Sequence, residues 1–155
     1  MPRLVSELPM FKKLSIAAIL SSAAILGHAQ SFPLMELNLG IHRIETEVAA
    51  TQDTRMQGLM FRQTMADNHG MLFVFPDAQR HCMWMRNTLL PLSVAFLDEK
   101  GQIINVEDMQ PKTENNHCAA KPARFALEMN LGWFKRKGFG AGAPLSGIER
   151  APTPQ

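Results

Sequence analysis

Arg55 and Arg62 flank the step Gly58-Leu59-Met60, and far along the chain Glu128 interrupts an alternating apolar segment. If a helix persists through this region, the two guanidinium forks lie about two turns apart on one side and can hold a carboxylate or phosphate. Glu128 is the best-placed carboxylate for any acid-base step. Trp84 offers a stacking face, and Asn87 and Thr88 offer an oriented amide and hydroxyl. Arg55, Arg62, Trp84, Asn87, Thr88 and Glu128 therefore form the candidate ligand-binding set. Each also has an ordinary structural use. Arginines pair with acids such as Glu128 or Asp98 or bond loop carbonyls, Asn-Thr before Leu-Leu-Pro suits a turn, and a tryptophan fills a core.

No residue is assigned a catalytic role. Glycoside hydrolysis needs a second carboxylate, and Asp98 falls in a turn where it caps backbone. Gly-x-Ser-x-Gly, phosphate-loop, His-Glu-x-x-His and Cys-x-x-Cys motifs are absent from the sequence, and no cofactor is expected. The first alternative is an enzyme using Glu128 with Arg55 or Arg62. The second is soft-metal handling. His69, His81, Cys82, Met83 and Met85 suit Cu(I), although Met83 and Met85 also alternate with Cys82 and Trp84 as strand residues would. Cys82 and Cys118 are the only two cysteines, so one intramolecular disulfide is possible. It would close the segment holding a central hairpin and contribute roughly 3 to 4 kcal/mol through loop entropy.

Short strands and turns must position these groups. Leu34 to Leu39 and Ile41 to Val48 read as strands parted near Gly40, and Thr51-Gln52-Asp53 caps a short helix that weakens at Gly58. Met71 to Phe75 is apolar on both faces, as in a sheet interior, and Pro76 is expected to end it. Leu92 to Leu97 and Ile103 to Glu107 alternate about the turn Asp98-Glu99-Lys100-Gly101, which predicts an antiparallel hairpin. Pro111 to Pro122 is a polar loop tied down by Cys118. Arg124 to Asn130 is a strand with Phe125, Leu127 and Met129 on one face and Arg124 and Glu128 on the other. Gly132 to Lys137 reads as a turn of helix, and Pro144 to Ile148 as a last strand. The fold class is mainly β: a compact sandwich or partly closed barrel with one or two short helices.

The first 29 residues differ in kind. Lys12 and Lys13 precede the apolar run Leu14 to Leu26, and Gly27-His28-Ala29 resembles a cleavage site, so a signal peptide ending near Ala29 is expected. The run contains Ser15, Ser21 and Ser22 and falls short of the roughly 20 residues of a bilayer span, so a retained anchor is the weaker reading. A start at Met10 would put the basic pair directly behind the initiator, making residues 1–9 an over-extension. Residues 30–155 then form one β-rich domain, periplasmic or secreted, with 46% apolar content in the whole chain to build its core. Three of the 16 basic and one of the 14 acidic residues lie in residues 1–29, which leaves 13 of each. That balance argues against nucleic acid and leaves a small molecule or a protein as the expected partner, with a membrane only if the leader is retained.

Four motifs are specific: TRMQGLMFR (Thr54 to Arg62), GMLFVFP (Gly70 to Pro76), CMWMRNTLLPLSVAFLDEKGQI (Cys82 to Ile103) and RFALEMNLGW (Arg124 to Trp133). In this order and spacing they resemble Domain of Unknown Function 192, over nearly all of residues 36 to 148. The resemblance implies a small, mainly β domain, often exported or membrane-tethered in bacteria and archaea, with no established reaction. Two positions depart from that pattern. Ser93 stands where an aspartate is usual, and Met83 where an aromatic is common. A seryl hydroxyl is no acid or base near neutral pH without an activating partner, so position 93 reads as structural or binding.

Overall fold

The computed structural model describes residues 31–155. The signal-peptide reading of residues 1–29 and the alternative start at Met10 lie outside the described residues. Among the described residues no helix is long and apolar enough to cross a membrane.

The first hairpin follows from its alternation. Strand β1 (Leu34–Leu39) pairs antiparallel with β2 (His42–Ala49), and Gly40, at φ 58°, makes the turn. Ile44, Thr46 and Val48 face inward while Arg43 and Glu45 stay exposed. Helix α1 (Gln52–Gln57) then crosses to β3 (His69–Gln79), which runs parallel to β2. A parallel neighbour needs a crossover, and α1 with its following turn supplies it.

Strand β3 is the buried interior strand that its two-sided apolar run predicts, but it does not stop at Pro76. Its ladder with β8 (Ala123–Asn130) breaks between Val74 and Gln79, because a proline has no N–H to donate, and resumes beyond. Between them in sequence lie the short strand β4 (Cys82–Met83), the expected hairpin β5 (Leu92–Leu97) and β6 (Ile103–Met109), and the short β7 (His117–Cys118). Asp98 caps the hairpin turn, accepting from the main-chain N–H of Lys100 and Gln102 at 2.9 Å each. Helix α2 (Trp133–Lys137) and β9 (Leu145–Ser146) follow, and the predicted last strand gives way to a 3-10 turn at Ile148–Arg150.

The seven-stranded sheet has the order β6-β5-β8-β3-β2-β1-β9 and curls into a half-barrel. A single bridge between Gln102 and Pro144 brings its two ends together. One apolar cluster, built on Leu37, Leu72, Leu127 and Trp133, fills the inside of the curl. A second, built on Phe73, Phe96, Met71 and Met85, lies on the opposite face. The two-stranded ribbon of β4 and β7, cross-linked by the Cys82–Cys118 disulfide, belongs to that second side, where Met83 joins the cluster. The half-barrel agrees with the expected mainly β fold, and the cysteine pair is joined as expected.

Candidate functional site

The second face is incompletely covered. Helix α1 begins at Thr51, whose hydroxyl accepts from the Thr54 N–H at 3.2 Å while the Thr54 hydroxyl accepts from the Thr51 N–H at 2.9 Å. This reciprocal cap fixes the helix start. The helix ends at Gly58, φ 47°, where a Cβ would stand 3.2 Å from the Phe73 ring. The turn after Gly58 therefore descends onto β3. Between α1 and this turn on one side and the disulfide ribbon on the other opens a cavity of about 350 Å³. Phe73 and Phe75 of β3 and Glu128 of β8 line its depth, Leu59 and Met83 its walls, and Met56 and Trp84 its exposed rim.

Glu128 is the unusual group. It stands across from Met71 on β3 and Val94 on β5, both fully buried, and is itself only 4% exposed. Burial pushes its carboxyl up from 4.5 to about 8, with no compensating hydrogen bond or ion pair from a described residue. At neutral pH the group is chiefly a neutral carboxylic acid, able to donate one hydrogen bond and accept others at the back of an apolar chamber.

Of the six candidate residues, four line this cavity: Arg55, Trp84, Thr88 and Glu128. Arg55 does so with three of its five N–H donors committed. Its guanidinium donates to the main-chain oxygens of Ala50 (2.6 Å), Val74 (3.1 Å) and Gln155 (3.2 Å), the loop-carbonyl use that arginines often have. Partial burial lowers its pKa from the ordinary arginine value. Trp84 is 46% exposed, with the Arg86 guanidinium 5.8 Å from its ring centre, so it is a rim residue and not core. Thr88 is buried in a turn, its hydroxyl donating to the Arg86 carbonyl at 3.4 Å.

Arg62 and Asn87 are elsewhere. Because α1 stops at Gln57, Arg62 is not carried up a continuing helix beside Arg55. It makes a two-pronged ion pair with Glu47 of β2, which raises its pKa, and lies 5.7 Å over the Phe32 ring. Neither Glu128 nor Asp98 is its partner. Asn87 takes a left-handed conformation, φ 57°, and its carbonyl accepts from the Phe61 N–H at 2.9 Å, so turn chemistry employs it. Arg124, placed with Glu128 by strand alternation, lines a different hollow beside Phe125 and the C-terminal residues. Ser93 is likewise remote. Its hydroxyl donates to Asp108 and accepts from the Gly132 N–H at 2.8 Å, joining β5, β6 and the start of α2.

The soft-ligand cluster does not converge. The Cys82 sulfur is in the disulfide, and Met83 and Met85 are packed in the second core. The His81 ring stacks on Phe75 at 3.8 Å, and His69 pairs with Glu45 at 3.2 Å. Among the described residues no three His, Cys, Asp or Glu side chains gather as a ligand set. Cavity residues that the sequence reading placed at no site include Leu59, Phe73 and Phe75. Phe73 and Phe75 carry the one available signal, since with Met71 they share the strand face opposite to Leu72 and Val74.

Residues 35–147 match the model of the family DUF192, described as Uncharacterized ACR. This is the family that the four motifs resemble. Among solved structures, a candidate transcription regulator from Sinorhizobium meliloti 1021 is 35% identical, with a TM-score of 0.74 over 77% of this chain and 97% of that one. A protein of unknown function from Novosphingobium aromaticivorans DSM 12444 is 27% identical, with a TM-score of 0.73 over 86% of this chain and 99% of that one. No curated protein matches the chain.

Proposed function

Since the chain belongs to the DUF192 family, an uncharacterised domain, we propose that it is a small-ligand-binding module whose ligand enters between α1 and the disulfide ribbon and meets Glu128. The observation that carries this reading is the pairing of a cavity of about 350 Å³ with a nearly inaccessible, unpartnered carboxyl at its back. Sites for small molecules are concave, mostly apolar and furnished with few polar groups, and this cavity has those properties. Burial makes this carboxyl costly to ionise, so a partner supplied from outside is a physical reason to keep it.

Within this proposal the binding residues are Glu128, Trp84 and Thr88, with Arg55 holding α1 in place. Arg62 and Asn87 support the framework. An enzyme built on Glu128 and an arginine is less well supported, because both guanidinium groups are engaged with other partners. We also propose export: the disulfide suits an oxidising compartment, and residues 1–29 have the composition of a leader. The regulator description stays with the Sinorhizobium protein, since 13 acidic and 13 basic residues in 30–155 offer a phosphate backbone little attraction.

A fragment screen followed by heteronuclear NMR tests the reading. Hits should shift Leu59, Phe73, Trp84 and Glu128 together, and Gln57→Trp, which covers the cavity from an exposed helix position, should remove them. Hits scattered over the surface, or hits indifferent to Gln57→Trp, would refute it.

A further inference from the structure

Resting on the cavity reading above, we propose that the ligand is an organic cation: a compact apolar body bearing one protonated amine that Glu128 receives. The residues around the cavity leave few other choices. Its titratable groups are Arg55, His81 and Glu128, since Cys82 is disulfide-bonded. Arg55 directs three of its five N–H donors to main-chain oxygens, which fixes its guanidinium against the framework. His81 lies flat against Phe75 and turns Nε2 toward the Asp77 carbonyl at 3.0 Å. The strand neighbours of Glu128, Met71 and Val94, are uncharged. Among the described residues that line the cavity Glu128 is thus the one acid, and the one group there that can pair with a cation.

The walls suit a cation as well. Phe73 and Phe75 in the depth and Trp84 at the rim present aromatic surface, which attracts ammonium groups through the ring quadrupole. Met56, Met60 and Met83 add flexible, polarisable surface that adapts to an irregular apolar body. An anionic ligand would gain no ion pair from Glu128, and the charge it could meet is that of Arg55, which already lies against three carbonyl oxygens. A neutral ligand would gain a hydrogen bond and no ion pair.

The proton balance is explicit. Free protein holds the Glu128 proton at neutral pH, and an entering R–NH3+ keeps its own three protons. The Glu128 O–H bond therefore breaks, its proton leaves to solvent, and the carboxylate pairs with the ammonium. Burial holds this carboxyl near 8 in the free protein. Affinity for the amine should consequently rise about tenfold per pH unit from pH 6 to 7.

The test uses three probes of one shape: phenethylamine, 2-phenylethanol and 3-phenylpropionate. Binding is followed by calorimetry in buffers of different ionisation enthalpy and by the Trp84 indole N–H resonance. The expected result is phenethylamine binding at least about tenfold more tightly than the alcohol at pH 9, where Glu128 is ionised before binding and one ion pair is worth that much or more. At pH 7 about one proton should be released on binding, and the acid should not bind. Glu128→Gln should bring the amine down to the affinity of the alcohol and abolish proton release. His81→Asn should leave the pH slope in place, and loss of the slope in that variant would overturn the assignment to Glu128. Equal affinity for amine and alcohol would overturn the cation inference while leaving the cavity reading intact. Failure of all three probes to perturb Trp84 at millimolar concentration would count against both.

Discussion

Replacing Glu128 by glutamine keeps the side-chain size, removes the ionisation and leaves a polar group in the same buried place. The consequence depends on pH with a defined sign. Below pH 4.5 the folded and unfolded chains both hold the proton, and the carboxyl costs nothing by ionisation. From there to pH 8 the unfolded chain releases the proton while the folded chain keeps it, because burial raises the folded pKa to about 8. Stability is therefore lost as pH rises across that window, by about 1.4 kcal/mol per pH unit, and the loss levels off above it. At pH 7 the accumulated cost is about 3 kcal/mol, which corresponds to roughly 10 °C in Tm for a domain of this size.

Guanidinium chloride unfolding of both proteins at pH 5, 6, 7 and 8 reads this directly. The advantage of Glu128→Gln should be about 1 kcal/mol at pH 5 and grow to about 3 kcal/mol at pH 7. Contributions from residues other than 128 are common to both proteins and cancel in the difference. An advantage that stays constant with pH, or shrinks as pH rises, would refute a desolvated carboxyl at position 128.

Three other outcomes follow from the framework around the cavity. Reducing the Cys82–Cys118 bond, which spans 36 residues, should lower stability by about 4 kcal/mol on loop entropy, measured by denaturant unfolding with and without reductant. Arg55→Ala removes three hydrogen bonds to main-chain oxygens and should cost about 2 to 3 kcal/mol, whereas Arg62→Ala, which breaks a half-exposed ion pair, should cost about 1; a reversed order in thermal melts would contradict the geometry. Gly70→Ala would place a Cβ 2.5 Å from Met129 Sδ and 2.6 Å from the Glu128 main-chain oxygen, so β3 and β8 must part. It should destabilise by about 3 kcal/mol or more and broaden the Glu128 amide resonance in NMR spectra.

Local pattern made much of this legible. The β1–β2 and β5–β6 hairpins lie where two-residue alternation and Gly or Asp turns put them, and Thr51 starts α1 as its side chain predicts. Glu128 stood out because an acid within an apolar alternation has to be accounted for. The parallel pairing of β2 with β3 was not legible, since it joins segments separated by a helix and a long turn. Arg62 was misplaced for a related reason. A helical period projects forward indefinitely, but Gly58 at φ 47° and Phe61 at φ 63° turn the chain away after Gln57. The cavity was hidden too, because in β3 every residue from Gly70 to Phe75 is buried, and periodicity cannot tell a sealed face from one that opens beneath a short helix.

The energies place Glu128 apart from the two arginines of the candidate ligand-binding set. Arg55 and Arg62 strengthen the fold by the bonds they make, so their presence needs no ligand to explain it. Glu128 weakens the fold at neutral pH by about 3 kcal/mol, a large share of the 5 to 15 kcal/mol that a domain commonly has. Its position would accept an apolar side chain, because Met71 and Val94 occupy the matching places on both neighbouring strands. The disulfide offsets a loss of this size, about 4 kcal/mol on loop entropy, and Cys82 lies in the wall of the same cavity. A cross-linked ribbon beside an unpartnered acid keeps a chamber open that a better-packed core would close, which is the arrangement a preformed binding site requires.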